Sequence, residues 1–460
     1  MMAEAVGVEA PRLRRALGLW DLVLYGIIVI QPVAPMSVYG VLMVRGHGHA
    51  VTTILIAMVA MLFTAISYGR MARAYPSAGS AFTYVGQEIH PSLGFVTGWS
   101  MAMDYMLNPL ICIIYCSKTA MNFVPDVPYW AWTIFFFVLF TALNLQGVKT
   151  SARTNAVLAA AMGVVIAVFF IVAARFIFGA AHPQGYFTRP FYDPATFDLK
   201  VVLGGTSLAV LTYIGFDGIS TLSEEAENPR KNILYATVFT CLVIGILSAL
   251  QVYAAQLIWP EFDKFPDVDT AFVHVAGRAA GQWMFLLVNL TLLVANIGSG
   301  MGAHLGAARL LYGMGRSNAL PKSFFGAIDA KRHIPRNNII FVGVIALIGS
   351  WVLDAIGARI GLSGYGLGAE MLNFGALIAF MGVNLAAFMR YFVRGSEKNV
   401  WNLVPPLAGF AICLLLWLSL STPAKVAGAA WVVVGVIYGV IKTRGFRGDL
   451  VDFELPPENA

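Results

Sequence analysis

Long runs of apolar residues recur along the whole chain and are separated by short polar stretches. About 20 consecutive apolar residues in an α-helix cross the hydrocarbon core of a bilayer, and about a dozen runs reach or approach that length. They cover residues 20–44, 51–72, 92–124, 128–148, 155–178, 200–223, 232–258, 280–314, 338–356, 369–392, 402–421 and 424–442. The pattern predicts an all-α polytopic membrane protein with twelve transmembrane helices.

Two of these runs are interrupted in their middles by residues that break helices. The first contains Gly26 and then the segment Ile30-Gln31-Pro32, and the sixth contains the segment Ile214-Gly215-Phe216-Asp217-Gly218. Inside a bilayer, backbone groups freed from a helix are tolerated only where they are buried in protein or line a wet cavity. Breaks at corresponding positions in two halves of a chain indicate the substrate site of a transporter. We therefore expect helices 1 and 6 to be broken and to line such a site.

The spacing of the breaks predicts an internal repeat. Gly26 and Gly215 lie 189 residues apart (215 − 26), and the long third and eighth runs have nearly the same offset. Five helices, repeated with inverted topology and followed by two extra helices, form the simplest architecture that fits. The expected divisions are a cytoplasmic N-terminal segment (1–19), a first repeat (20–178), a second repeat (200–392), two extra helices (402–442) and a cytoplasmic C-terminal tail (443–460).

Basic residues are distributed unevenly among the polar stretches. If the N-terminus is cytoplasmic and the helices alternate in direction, most of the 30 Lys and Arg residues fall on the cytoplasmic side. This bias is typical of inner loops, and an even number of helices returns the C-terminus to the same side. Hydrophobic residues make up 58% of the chain and charged residues 12%, which is low for a soluble domain. The net charge of +6 thus reflects topology, and its distribution does not indicate nucleic-acid binding.

Acidic side chains inside the apolar runs are candidates for binding or ion coupling. A carboxylate at mid-membrane costs about 2.5–3.5 kcal/mol on insertion scales. Asp217 is therefore expected either to contact a substrate ammonium or to cap the half-helix that begins near Gly218. Asp104 and Asn108 share a helix face and either bind solute, handle protons or join helices. Glu370, at the outer end of the tenth run, either supplies a further acid or simply ends the helix at the interface.

Amide and aromatic residues in the breaks are further candidates. The buried amide of Gln31 at a helix break needs hydrogen-bond partners. Tyr213 and Phe216 have ring faces that attract an ammonium by up to about 2 kcal/mol, although packing is the alternative for each. The predicted binding set is Gly26, Ile30, Gln31, Pro32, Asp104, Asn108, Tyr213, Gly215, Phe216, Asp217 and Glu370. The four cysteines lie in apolar runs without His or carboxylate neighbours, and we expect neither a metal nor a cofactor.

Several short segments together carry a family resemblance. They are Ser67-Tyr68-Gly69, the segment from Tyr75 to Tyr84, Gly98-Trp99-Ser100, the segment from Gly215 to Ser220, the segment from Ala308 to Arg316, and the segment from Leu372 to Leu377. On these segments the chain resembles the amino acid–polyamine–organocation (APC) superfamily over nearly its whole length, and within it bacterial putrescine importers most. The resemblance implies the leucine-transporter-like fold with a 5+5 inverted repeat, and secondary active uptake across a bacterial inner membrane.

Some positions depart from what the resemblance implies. Most amino acid permeases hold the substrate carboxylate with a Gly-x-Gly turn in the first helix, but this chain has Ile30-Gln31-Pro32, and proline has no N–H to donate. The putrescine importers also have Gln-Pro, which favours amines, yet Ser37 stands where they carry an acid. Residues 158–163 lack the lysine of some proton-driven relatives. Asn296 and Ser299 lie where some relatives bind sodium, so the candidate ion-coupling set is Asp104, Asp217, Asn296 and Ser299.

Together these features predict a secondary active transporter that imports a small amine-bearing solute by alternating access, and the family resemblance implies proton symport as its energy source. The solute is a putrescine-like polyamine, a monoamine or an amino acid. An α-amino acid permease is the alternative within the class, and a membrane solute sensor that does not transport is the alternative from another class. An enzyme is not expected, because no Ser/His or Asp/Asp pair is recognisable on the helices. The sequence leaves the exact substrate, the coupling ion and the oligomeric state open.

Overall fold

The structure, a computed structural model, describes residues 17–75, 80–147, 152–223, 226–316, 320–329, 332 and 334–443. The predicted N-terminal segment, apart from residues 17–19, and the predicted C-terminal tail beyond Thr443 lie outside these residues. The described residues form helices and connecting turns without a β-strand, apart from one isolated parallel bridge between Leu17 and Ala226. This confirms the all-helical prediction.

Sixteen α-helices follow one another in the described part of the chain. In chain order they are α1 Leu19–Ile30, α2 Ala34–Arg45, α3 Ala50–Ala74, α4 Ser80–Glu88, α5 Pro91–Phe123, α6 Tyr129–Leu145, α7 Ala152–Phe178, α8 Leu199–Ala209, α9 Pro229–Ile258, α10 Ala271–Ala280, α11 Gln282–Arg316, α12 Lys322–Phe325, α13 Arg336–Ile360, α14 Gly364–Phe388, α15 Val400–Ser419 and α16 Thr422–Lys442. Two 3-10 segments, Val210–Tyr213 and Phe216–Leu222, continue α8, and a π-helical turn, Met389–Val393, continues α14.

Many of these helices can cross a bilayer. Among the described residues, nine helical segments are long and apolar enough, or ten if the bent pair of α1 and α2 is one span. The two remaining predicted spans are α5, which has 33 residues but carries polar side chains such as Asp104 and Asn108, and α6, which is apolar but has 17 residues. The chain is thus a multi-pass membrane protein, and the total of twelve spans stays a prediction.

The backbone departs from α-helical geometry at both interrupted runs. The axes of α1 and α2 differ by 48° across the break between Ile30 and Ala34, where Gln31 has a φ of 69°. In the sixth run, α8 gives way to 3-10 turns, and Gly215 has a φ of 122°, a conformation that residues with a side chain rarely adopt. A Cβ atom on Gly215 would lie 3.1 Å from the side chains of Val29 and Ile30. The two interrupted segments therefore pass close to each other.

The helix bundle has two ends, which we call the α1 face, where α1 begins, and the α2 face, where α2 ends. Within the bundle α3 packs along α9, and α5 lies against α11, α13 and α14. On the α1 face, Glu88 at the end of α4 binds Arg390 and Arg394 beyond α14. On the α2 face, Arg45 at the end of α2 pairs with Glu370 near the start of α14 at 3.1 Å. Ion pairs thus tie distant helices together at both ends.

Candidate functional site

A cavity of about 410 Å³ lies beside the two interrupted segments. Its wall is formed by α1, α5, α7 and α11, by residues 214, 215, 217 and 218, and by Gln31 and Pro32 from the first break. Small-molecule sites typically measure about 300–1,000 Å³, so the cavity is large enough for a small solute. Residues from both interruptions line the same space, as expected for breaks beside a cavity.

The charged residues in the described wall of this cavity are all acidic. Asp104 of α5 and Asp217 of the 3-10 segment line it, and its described wall contains no Lys, Arg or His. Both residues are more than nine-tenths buried. The salt bridges among the described residues join other carboxylates, namely Glu88, Glu261 and Glu370, to arginines. The two cavity carboxylates therefore lack a basic partner in the part of the chain that the structure describes, and both face the same space.

Asp217 makes local backbone contacts as well as facing the cavity. Its Oδ1 atom accepts a hydrogen bond from the backbone N–H of Gly215 at 3.2 Å, and the Gly218 N–H donates to the Gly215 carbonyl oxygen at 3.1 Å. The hydroxyl of Ser220 donates to the Asp217 carbonyl oxygen at 2.6 Å. The side chain thus closes the turn that starts the 3-10 segment. A carboxylate that accepts backbone donors on one side still has lone pairs available to an ammonium in the cavity.

Two side-chain amides stabilise the first break by hydrogen bonds. Gln31 donates its Nε2 hydrogen to the Ala295 carbonyl oxygen of α11 at 2.7 Å, so its buried amide has a partner. Pro32 has no N–H, and its carbonyl oxygen accepts from Nε2 of Gln251 on α9 at 3.0 Å. Because helix breaks leave carbonyl groups without helical partners, these bonds stabilise the non-helical backbone at the cavity wall.

The opposite wall is apolar. It includes Leu158, Ala159 and Met162 of α7, from the stretch 158–163, which contains no lysine. Of the two candidate ion-coupling residues on α11, Ser299 lines the cavity and Asn296 does not. Asn296 donates its Nδ2 hydrogens to the Ser37 hydroxyl at 3.1 Å and to a carbonyl of its own helix. Asn296 therefore joins α11 to α2 in this conformation.

Several predicted binding residues lie behind the cavity wall. Gly26 faces α9 and the 3-10 segment, where an added Cβ atom would lie 2.6 Å from the Ile219 side chain. Ile30 is buried beside Gly215. Tyr213 donates its hydroxyl hydrogen to the Ile54 carbonyl oxygen of α3 at 2.8 Å. These residues shape the breaks from outside the cavity.

Phe216 and Glu370 also lie away from it. Phe216 is fully buried and packs its ring against the rings of Tyr68 and Phe380, at centroid distances of 5.5 and 5.4 Å. Glu370 pairs with Arg45 and accepts a hydrogen bond from the Ser421 backbone N–H at 2.8 Å. Of the predicted set, the cavity wall contains Gln31, Pro32, Asp104, Asn108, Gly215 and Asp217.

Sequence reasoning missed most of one wall of the cavity, of which it had named only Ser299, as an ion-coupling candidate. Ala295, Gly298, Ser299, Gly302 and Ala303 of α11 all line it. Their spacing of three and four residues places them on one face of a helix, and all are small. This stripe of small residues was visible in the sequence, and it explains why space remains between α11 and the breaks.

The α2 side of the breaks is closed by packing. Tyr39 of α2 makes edge-on contacts with the rings of Phe265 and Phe272, at centroid distances of 5.8 and 5.5 Å. A Cβ atom on Gly40 would lie 2.0 Å from the Val268 carbonyl oxygen, which shows how closely the loop before α10 approaches α2. No described residue of α2, α8 or α14 lines the cavity. The cavity therefore belongs to the α1 side of the breaks.

Comparison with known proteins gives consistent matches over the chain. The profile of the family described as "Amino acid permease" matches residues 29–441. The low-affinity putrescine importer PlaP of Escherichia coli (strain K12) is 34% identical over 455 residues, which cover 96% of each chain. The branched-chain amino acid permease BcaP of Bacillus subtilis (strain 168) is 26% identical over 458 residues and 94% of each chain. The methylthioribose transporter of the same organism is 24% identical over 469 residues and 95% of each chain.

Proposed function

The chain belongs to the amino acid permease family, and on this basis we propose that it imports a small amine-bearing solute by alternating access to the cavity beside its two breaks. Its family and relatives are transporters, so the chain is a permease and not an enzyme. One observation carries the choice of solute: Asp104 and Asp217 are the only charged residues in the described wall of the cavity. Hydrogen bonds between an ammonium and a carboxylate are roughly twice as strong as neutral ones.

The site favours an amine over an amino acid. An amino acid carboxylate entering this space would meet two acids and no described basic residue, and Pro32 offers it no N–H. Ser37 stands where the resemblance to putrescine importers implies an acid, and it is bonded to Asn296 outside the cavity. Its change therefore does not lower the negative charge of the cavity in this conformation. A solute with two ammonium groups matches the two carboxylates.

The proposed membrane topology assigns this cavity to one side of the membrane. We place both termini in the cytoplasm, with twelve helices arranged as a 5+5 inverted repeat and two extra helices. The α1 face is then cytoplasmic, and we propose that this conformation is inward-facing, because Tyr39 and Phe272 pack together on the α2 side of the breaks. Proton symport is the proposed energy source, with Asp104 or Asp217 as the group that binds the proton inside the cavity.

The test is uptake of radiolabelled solutes into proteoliposomes with an acidic exterior. Putrescine, cadaverine, monoamines and amino acids are screened for accumulation and for competition, and dissipation of the pH gradient is expected to abolish accumulation. D104N should weaken competition by amines at least tenfold, whereas E261Q, which alters an exposed carboxylate of the Glu261–Arg278 pair, should not. If no amine or amino acid accumulates or competes, the proposal is wrong.

An α-amino acid is the second candidate. It is supported by the full-length similarity to the branched-chain amino acid permease, and by the neutral polar groups of Asn108, Tyr105 and Ser299 in the cavity wall. Competition between an amino acid and its decarboxylated amine decides between the candidates. Stronger competition by the amino acid would show that neutral donors hold its carboxylate.

A further inference from the structure

We propose that Asp269 is a proton-binding site, separate from the cavity, whose protonation holds α10 closed over the α2 face. The proton is the ligand, and the site lies in the loop between α9 and α10. The inference rests on the proposed function for its physiological meaning, because only the proposed topology makes this face the exterior. Its test requires no solute and no transport.

Asp269 lies at the point where a loop becomes the helix that covers α2. It precedes α10 by two residues, and the same loop carries Val268, which approaches Gly40 of α2. An added Cβ atom at Gly40 would also meet the Ala271 side chain at 2.5 Å. Any opening of the α2 face must separate α10 and this loop from α2. The surroundings of Asp269 therefore change when the face opens.

The carboxylate of Asp269 is buried and incompletely bonded. The residue is 5% exposed, and its Oδ1 atom has no hydrogen-bond partner, nor does the hydroxyl of the adjacent Thr270. The N–H groups of both residues are bonded to Oδ1 of Asp267, at 2.7 and 3.2 Å, and so do not serve the Asp269 carboxylate. Ser363, which immediately precedes α14, bonds to it. A buried charge without full pairing is costly, and a bound proton removes that cost.

The groups that face Asp269 come from several elements. Asp267 lies in the same loop. The helices packed around the loop contribute Lys118 and Tyr115 of α5, Tyr129 of α6, Asp354 of α13, and Ser363 and Tyr365 at the start of α14. Lys118 is the cation of this group, yet no salt bridge within 4.0 Å joins it to Asp269 among the described residues. The described residues contain no group of three or more His, Cys, Asp or Glu that could hold a metal ion. The arrangement therefore suits a proton.

The electrostatics agree with the geometry. Burial raises the pKa of Asp269 from 3.8 to about 6, with Asp267 and Asp354 adding to the rise and the Ser363 bond and Lys118 opposing it. When α10 moves away, water returns and the pKa falls toward 3.8. Between these values the closed state keeps a proton that the open state has lost. The equilibrium constant for closure is therefore largest below about pH 4 and falls about tenfold per pH unit as the pH rises to about 6. Above about pH 6 it is constant, and its total change is about 100-fold.

The experiment is hydrogen–deuterium exchange of the full chain in nanodiscs without solute, from pH 4.5 to 7.5. Amide exchange in α10 is corrected for the intrinsic pH dependence of exchange. We expect the opening equilibrium of α10 to rise about 20-fold between pH 4.5 and 6.5 and then to level off. D269N should give a closed, pH-independent α10, because Asn cannot lose a proton in this range. D263N, which alters an exposed carboxylate of the same loop, should keep the wild-type response.

A second variant covers the possibility that D269N does not fold. S363A removes a hydrogen bond to the carboxylate, so the midpoint of the pH response should move upward. A wild-type protein whose α10 exchange does not vary with pH, or an S363A midpoint that does not move, would overturn the proposal. So would a D269N protein with the wild-type slope. Because no solute is present, such a failure is distinct from a failure of amine uptake.

Discussion

Replacing Gln251 by Leu should weaken solute binding, because this side chain holds the first break in place. Its Nε2 atom donates to the Pro32 carbonyl oxygen at 3.0 Å, and Pro32 lines the cavity next to Gln31. Gln251 is fully buried, so water does not replace the lost donor. An unpaired buried carbonyl costs about 1–3 kcal/mol. Leu also removes the unpartnered Oε1 atom of Gln251, which offsets part of that cost.

The chain offers a matched control on the same helix. Gln256 is 4% exposed, donates its Nε2 hydrogen to the Gly48 carbonyl oxygen, and likewise has an unpartnered Oε1 atom. Q256L therefore removes the same kind of bond at the α2 end of α9, away from the cavity. We expect both variants to lose about 1 kcal/mol in free energy of unfolding.

The assay compares two quantities for both variants. Thermal unfolding measures the loss of stability, and the concentration of the transported solute at half-maximal uptake measures its binding. About 1 kcal/mol lost from the bound state raises this concentration about fivefold in Q251L, and it should be unchanged in Q256L. Equal effects of the two variants on uptake, at equal effects on stability, would refute a positioning role for Gln251.

Three further substitutions test other parts of the structure. D217N keeps an oxygen that accepts the Gly215 N–H but removes the charge. The free energy of unfolding should therefore change by less than about 1 kcal/mol, while amine affinity falls at least tenfold. A loss of stability with unchanged affinity would leave only the capping role for Asp217. E370Q should reduce the free energy of unfolding by about 1–2 kcal/mol by weakening the bond to Arg45, and amine affinity in binding assays should be unchanged. A loss of affinity would show that Glu370 takes part in binding. G26A should destabilise by about 1–3 kcal/mol, because its Cβ atom would lie 2.6 Å from the Ile219 side chain, whereas G163A, with no atom within 4 Å, should be neutral or stabilising in denaturation experiments.

The helix-breaking and polar residues of the interrupted segments show how far local sequence determines the site. Gln31, Pro32, Gly215 and Asp217 were identified because few arrangements satisfy a helix-breaking or charged residue inside a bilayer. Each lines the cavity. The aromatic candidates Tyr213 and Phe216 do not, because a helix presents its side chains to several neighbours and the sequence does not say which neighbour is a cavity.

The sequence by itself determined that this chain is a bundle of membrane helices with two interruptions, because the bilayer fixes the length and polarity of each span. Only the tertiary structure decided which charged residues meet. Glu370 finds Arg45 on the α2 face, whereas Asp104 and Asp217 share a cavity with no described basic residue. These partners lie far apart in the chain, and their pairing follows from how the helices pack, which hydropathy does not encode.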